Sequence, residues 1–271
     1  MLDEETIHDF QKKMYEYYRK YGRNLPWRKT KDPYKIVVSE IMLQQTQVSR
    51  VLKKYNMFIR LFPDIKSLAQ ASLRSILEEW QGLGYNRRAL ALKKLAEEVV
   101  ERFDGSIPSN EESLRSLPGI GPYTACAVCV FAFNKPSVFI ETNIRSVFIY
   151  HFFSDRTSVK DFEIIPLIAQ TLDTEQSRQW YYALMDYGAL LKTGMINPNR
   201  KSAHYTQQSP FRGSDRQIRG MVLKLLIDHE KLSETELLAK ITAENERIRT
   251  IFTKLVKEGI IIKHGKYLSI P

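Results

Sequence analysis

The amino-acid sequence predicts an almost entirely α-helical chain closed by one small β-hairpin. Three observations carry this expectation. Apolar residues recur at helical spacing up to about residue 195. A polar, Pro-containing stretch, 197–214, then interrupts that pattern. Beyond it, three further helical patterns lead into two short β-prone runs around His264-Gly265-Lys266.

In chain order, segment 6–21 places Ile7, Phe10, Met14, Tyr17 and Tyr18 on one face. Segment 34–61 is helical with a polar break near 46, and further helices fit 66–71, 73–80 and 86–103. Two more, 110–117 and 122–133, meet at the tight turn Leu117-Pro118-Gly119-Ile120-Gly121. Gly119 and Gly121 permit positive φ and close backbone approach, and Pro122 suits the first turn of the next helix. Such a turn offers free N–H groups at a helix N-terminus, a favourable place for a phosphate oxygen. Helices at 141–152, 158–172 and 175–191 complete this part of the chain. After the 197–214 stretch come a helix over 215–229, a capping box Ser233-Glu-Thr-Glu236 opening a second, and a third over 244–259. Helix, helix, helix, hairpin is a winged-helix arrangement. Its basic residues Arg247, Arg249, Lys254, Lys257, Lys263 and Lys266 suit DNA, or else form the solvated face of a protein-contact module.

Composition narrows the function classes. The 271 residues suffice for two or three structural units, and no apolar run reaches membrane-spanning length. The acidic start Met1-Leu2-Asp3-Glu4-Glu5 does not read as a secretory signal, which points to the cytoplasm or to wherever DNA lies in the cell. A net charge of +10 attracts polyanions, of which nucleic acid is the usual one. The two cysteines, Cys126 and Cys129, cannot form a disulfide framework or a four-thiolate metal site and read as core residues.

Two carboxylates stand out. Glu40 interrupts an apolar helical stretch, where an unpaired charge is costly and a raised pKa, suited to a general acid, is favoured. Glu141 follows the apolar run 138–140, where it either caps a helix or faces a site. Two acids in separate environments suit glycosidic chemistry, one protonating the leaving group and the other supporting a cationic sugar.

The block Ser39-Glu-Ile-Met-Leu-Gln-Gln-Thr-Gln-Val48 occurs with Pro26-Trp-Arg28, Gln81-Gly-Leu-Gly-Tyr85, Leu117-Pro-Gly-Ile-Gly-Pro-Tyr-Thr124 and Met185-Asp-Tyr-Gly-Ala189. Together, over residues 5–195, they resemble the MutY branch of the helix-hairpin-helix DNA glycosylases. The resemblance implies an all-α, two-lobed helix-hairpin-helix glycosylase fold with its active site between the lobes. One lobe would comprise 1–28 and 135–205, and the other 29–134 with the hairpin at 110–130. Residues 206–271 would form the linker and winged-helix domain. The implied partner is double-stranded DNA carrying a mispaired or damaged base, bound by a monomeric, nucleoid-associated enzyme. The target nucleotide is flipped out because its reacting atoms cannot be reached in the stack.

By the same resemblance, Glu40 protonates adenine and activates water, while Trp27, Arg28, Leu43 and Asp186 line the base pocket. Gln45 fills the vacated stack, and Leu83 and Tyr85 probe the opposite strand. Leu117, Gly119, Gly121 and Thr124 belong to the hairpin that holds a DNA phosphate, in the family often with a monovalent cation at the Gly119 backbone. Outside the resemblance, the winged-helix pattern makes Arg247, Lys254 and Lys266 the expected extension of the DNA surface. Tyr123 stands where bifunctional relatives carry a Schiff-base lysine, which implies a monofunctional enzyme. Tyr123 and Asn143 would help orient the catalytic groups.

Three departures follow. Glu141 stands where the family usually has the Asp that stabilises the oxocarbenium ion. The four-cysteine iron–sulfur cluster is expected to be absent, so no cofactor is predicted and 192–214 would close the lobe without metal. A winged helix stands where the family has its 8-oxoguanine-reading domain. The expected activity is removal of adenine opposite 8-oxoguanine or guanine. The alternatives are thymine or uracil removal from T:G or U:G mispairs, and a catalytically silent DNA-binding protein.

Overall fold

The computed structural model describes residues 1–194 and 197–271. Its helices in chain order are α1 (Glu4–Tyr21), α2 (Pro33–Leu43), α3 (Val48–Leu61), α4 (Ile65–Gln70), α5 (Leu73–Trp80), α6 (Arg87–Phe103) and α7 (Glu111–Arg115). They continue with α8 (Pro122–Phe133), α9 (Thr142–Phe152), α10 (Asp161–Thr171), α11 (Ser177–Thr193), α12 (Asp215–Asp228), α13 (Glu234–Lys240) and α14 (Asn245–Lys257). Short 3₁₀ turns lie at Pro26–Arg28 and Pro198–Lys201. The strands are β1 (Lys231–Ser233), β2 (Ile262–His264) and β3 (Tyr267–Ser269). The all-α reading with a terminal hairpin therefore holds, and the polar break near 46 separates α2 from α3. Among the described residues no helix is long and apolar enough to cross a membrane.

The chain forms two compact units. One comprises Met1–Ile36, Ser109–Ser116 and Ile120–Gln207; the other comprises Val37–Pro108, Leu117–Gly119 and Gln208–Pro271. The helix after the tight turn, α8, thus lies in the first unit, and the winged-helix segment lies in the second.

In the first unit, α8 is buried at every position from Thr124 to Ala132, as a helix apolar all round must be. Phe131 stacks on Tyr182 of α11 at 4.8 Å. Arg178 caps α8 by donating to the carbonyls of Phe131 (2.6 Å) and Ala132 (2.9 Å). Asn134 ends that helix in the left-handed region at φ 55°. Around Phe10 of α1, the rings of Phe148 and Trp180 lie at 5.4 and 5.8 Å, tying α1 to α9 and α11.

In the second unit, the winged-helix module is held by charge. Arg74 of α5 donates to the carbonyls of Leu226 (2.8 Å) and Ile227 (3.1 Å) in the last turn of α12, and of Glu230 (3.0 Å) beyond it. There a cation also meets the negative end of the helix dipole. Arg219 pairs with Glu258, which lies 3.8 Å from Arg87 of α6. β1 is a strand the sequence reading did not mark. It pairs antiparallel with β3, giving the order β1-β3-β2 with Leu232 opposite Leu268.

Candidate active site

α2 buries almost its whole length, from Tyr34 and Ile36 to Met42, and Glu40 lies inside this run at 6% exposure. A carboxylate so placed is held by its surroundings and shielded from water, which suits proton transfer. The C-terminal end of α2 is closed by one side chain, Arg88 of α6. Its guanidinium donates to the carbonyls of Ile41 (2.8 Å), Met42 (2.8 Å) and Gln44 (2.6 Å). It also donates to Thr46 Oγ1 at 2.9 Å and to the carbonyls of Leu83 (3.3 Å) and Gly84 (3.0 Å). Burial pushes the Arg88 pKa down to about 10, slightly offset by the nearby Tyr85. The residue therefore fixes two turns at once. These turns hold two non-glycine residues in the left-handed region, Gln45 at φ 53° and Tyr85 at φ 48°, a conformation that clusters at functional sites. Sequence reading missed Arg88, although it occupies the apolar stripe of α6 with Leu92, Leu95 and Val99.

Gln45 is exposed and Tyr85 half-buried, while Leu43 is half-buried at the end of α2. Leu83, expected to probe DNA, is 3% exposed in the chain alone, so contact with a strand requires its side chain to move.

In the first unit, Glu141 is the N-cap of α9. Its Oε1 accepts from the amides of Asn143 (2.8 Å) and Ile144 (2.9 Å), and its Oε2 accepts from Asn143 Nδ2 at 3.2 Å. Of the two roles open to it, the capping one is realised, and the carboxylate stays half-buried beside it. Asn143 is in turn held by Lys192 of α11, whose Nζ donates to Oδ1 at 2.9 Å. Neither this lysine nor the helix crossing behind it was singled out in the sequence. The crossing depends on Gly188, where a Cβ would lie 2.2 Å from the Asn143 carbonyl oxygen.

Asp186 lies nearly two turns before Lys192 on the same helix and is 2% exposed. It takes a bidentate pair from Arg28 (2.7 and 2.7 Å), and Arg23 donates both its amide (2.7 Å) and its Nε (2.6 Å). Arg28 also lies over the Tyr182 ring at 4.4 Å, and Trp27 beside it is buried. The charges expected in a base pocket are thus neutralised by one another, and Arg23 is a third member that sequence reading missed. Burial raises the Asp186 pKa, but the hydrogen bonds and charges of Arg28 and Arg23 outweigh it and hold the carboxyl below its ordinary value. The pair's contribution is complete above the ordinary aspartate range and is lost as pH falls below it. Asp186→Asn should cost about 3 kcal/mol at neutral pH, because it strands a buried guanidinium. Melting of both proteins from pH 7 to strongly acid solution should show the difference shrinking.

At the hairpin, Gly119 takes φ 80°, and a Cβ there would meet the Ala91 Cβ at 2.9 Å. Gly121 differs from expectation. It is an extended N-cap at φ −88° with open space beside it, because Pro122 already sets the helix entry. Leu117 and Thr124 have buried side chains, which leaves the backbone as what this turn presents. The Gly119 carbonyl, expected beside a cation, accepts from Gln44 Nε2 at 3.4 Å. Tyr123 packs edge-on against Phe139 at 5.5 Å. Cys126 and Cys129 are buried on α8, and burial with the neighbouring Glu111 carboxylate pushes the Cys126 thiol up to about 12. They are core residues, and the two of them cannot supply a four-thiolate set.

In the winged module, Lys254 and Lys266 are exposed. Arg247, also expected on the DNA surface, has a partly exposed side chain that donates to Asp215 (2.7 Å) and to the Gly213 carbonyl (2.9 Å).

The fold class is shared with solved glycosylases. A thermostable thymine-DNA glycosylase aligns with TM-score 0.62 and 27% identity, over 69% of this chain and 87% of that one. The family profile described as "HhH-GPD superfamily base excision DNA repair protein" matches residues 38–165. An adenine DNA glycosylase of Mycolicibacterium smegmatis is 33% identical over 225 residues, covering 76% of each chain. One from Buchnera aphidicola subsp. Baizongia pistaciae is 37% identical over 187 residues, covering 67% of this chain and 52% of that protein. A thymine/uracil-DNA glycosylase of Pyrobaculum aerophilum is 40% identical over 140 residues, covering 51% and 61%. The chain belongs to the HhH-GPD superfamily of base excision DNA repair proteins, in its MutY-type branch. It spans about half the length of the Buchnera relative.

Proposed function

We propose that this chain is a monofunctional DNA glycosylase of base-excision repair that hydrolyses the N-glycosidic bond of adenine mispaired with guanine or 8-oxoguanine. The observation that carries the reading is Glu40, a carboxylic acid held inside the buried face of α2. In the proposed reaction Glu40 gives a proton to the extruded base. The glycosidic bond breaks with its electron pair going to the base nitrogen, and the sugar becomes an oxocarbenium ion. Glu40, now a carboxylate, takes a proton from the attacking water. Glu141 supplies negative charge toward the cationic sugar, fixed by the two amides and the Asn143 side chain that donate to it. Tyr123 has no amine to attack the sugar, so no covalent enzyme–DNA adduct forms.

Single-turnover assays on duplexes containing A:8-oxoguanine, A:G, T:G and U:G test this. The expected result is alkali-labile abasic sites from the adenine strand and no adduct trapped by borohydride. No abasic product from any duplex would overturn the reading in favour of DNA binding without catalysis. Thymine or uracil excision opposite guanine is a second reading, favoured by the similarity to the Pyrobaculum thymine/uracil-DNA glycosylase. Product from T:G or U:G alone would select it.

A further inference from the structure

We propose that Lys192 is a positioning residue for the reaction. Through the side chain of Asn143 it holds in place the one oxygen of Glu141 that faces the cationic sugar. This deepens the function proposed above. It rests on that reading in one respect, that Glu141 supplies negative charge to the sugar.

The two oxygens of Glu141 have different duties. Oε1 accepts from two amides, of Asn143 at 2.8 Å and Ile144 at 2.9 Å, and is spent on capping α9. Oε2 accepts from Asn143 Nδ2 at 3.2 Å, its one hydrogen bond among the described residues. A carboxylate oxygen has room for a second contact, so Oε2 is the one left to meet a cation. A glutamate also has one rotatable bond more than an aspartate. Held by Oε1 alone, its carboxylate would turn about that oxygen and carry Oε2 away.

Asn143 prevents the turn only if it is itself fixed, and Lys192 fixes it. The ammonium donates to Asn143 Oδ1 at 2.9 Å. An ammonium can only donate and a carboxylate can only accept, so one orientation of the amide between them satisfies both. Lys192 is half-buried, and among the described residues no carboxylate pairs with it. Its charge is directed at the Asn143 carbonyl, where it polarises the amide and strengthens what Nδ2 donates. Gly188 stands one turn before Lys192 on the same face of α11, and the close approach there fixes the Asn143 backbone. One helix face thus holds both the main chain and the side chain of Asn143.

A lysine near a cationic sugar also acts through its charge, and the two effects have opposite signs. Repulsion opposes the oxocarbenium ion, so by charge alone removing the ammonium would speed the reaction. Across the Asn143 amide and half open to water, that repulsion is screened to about two- or threefold. A displacement of about 1 Å costs up to about 10²-fold. Positioning wins.

Binding to two duplexes tests this without catalysis. One carries a neutral tetrahydrofuran abasic analogue, the other a pyrrolidine analogue whose protonated ring nitrogen mimics the charged sugar. The full chain should bind the cationic duplex about tenfold more tightly, as enzymes bind mimics of a transition state. Lys192→Met, which keeps the aliphatic stem, should bind the neutral duplex like the parent and lose most of that preference, about tenfold. It should also release adenine about tenfold more slowly in a single turnover. In Asn143→Ala protein the same substitution should change the preference by less than about twofold, since Lys192 acts through the missing amide. Parent protein without the preference, or a preference unchanged or raised in Lys192→Met, would overturn the proposal. So would an equal loss on both duplexes, the mark of a phosphate contact, or a loss undiminished in the Asn143→Ala background. Should Lys192→Met melt early, Lys192→Ala reads the same ratio. Excision with the preference intact in Lys192→Met would sink this inference alone. A preference that depends on Lys192, without excision from any duplex, would sink the proposed function alone.

Discussion

Gly188→Ala is expected to lower stability by about 4 kcal/mol or more, into the range reserved for specific structural failures. Alanine is the better helix former by about 1 kcal/mol, so propensity predicts the opposite sign. Sterics decide. The added Cβ would lie 2.2 Å from the Asn143 oxygen, 2.6 Å from its carbonyl carbon and 2.9 Å from its Cα. All three atoms are backbone and cannot rotate away, so α11 and the start of α9 must separate. That movement loosens the amides that hold Glu141 and the Lys192–Asn143 bond. A melting midpoint lowered by about 10 °C is the direct readout. Gly121→Ala is the control, expected within about 0.5 kcal/mol of the parent, because its φ is ordinary and its surroundings are open. A Gly188→Ala protein that melts like the parent would show that α9 and α11 do not pack as described.

Some of this architecture was legible in the sequence because it follows from local pattern. The α2–α3 break, the capping box at Ser233 and the three helices before the hairpin are set by periodicity and cap chemistry within a few residues. β1 was not legible. Three residues carry no period of their own, and they become a strand only because β3 pairs with them. Glu40 could be found because it breaks an apolar run. Arg88 breaks one too, on the stripe of α6, but its acceptors lie more than 40 residues away at Ile41, Met42 and Gln44. Arg23 and Lys192 sit in polar surroundings in the sequence and acquire meaning only through Asp186 and Asn143. Gly188 is the sharpest instance. A glycine inside a helix reads as a weak point, and only the packed structure shows a backbone lying against it.

Glu40→Gln is expected to reduce the single-turnover rate of adenine release by about 10²–10⁴-fold, the contribution a positioned acid makes to proton transfer. The substitution keeps the size and shape of a side chain that is 6% exposed, so folding should be retained. An amide can donate a hydrogen bond but cannot give up its proton to the base or take one from water, so both halves of the proposed role fail together. Binding to the neutral abasic-analogue duplex should be unchanged, since that ligand has no base to protonate. Glu40→Asp separates chemistry from placement. It keeps the acid but withdraws it by one methylene, and an error of about 1 Å in a reacting group costs up to about 10²-fold. A graded series, with Asp between Glu and Gln, is what an acid on a rigid, buried helix requires. A near-parental rate in Glu40→Gln would move the acid elsewhere. In that case Glu141→Gln, which keeps an oxygen for the α9 amides while removing the charge, would become the variant that abolishes product.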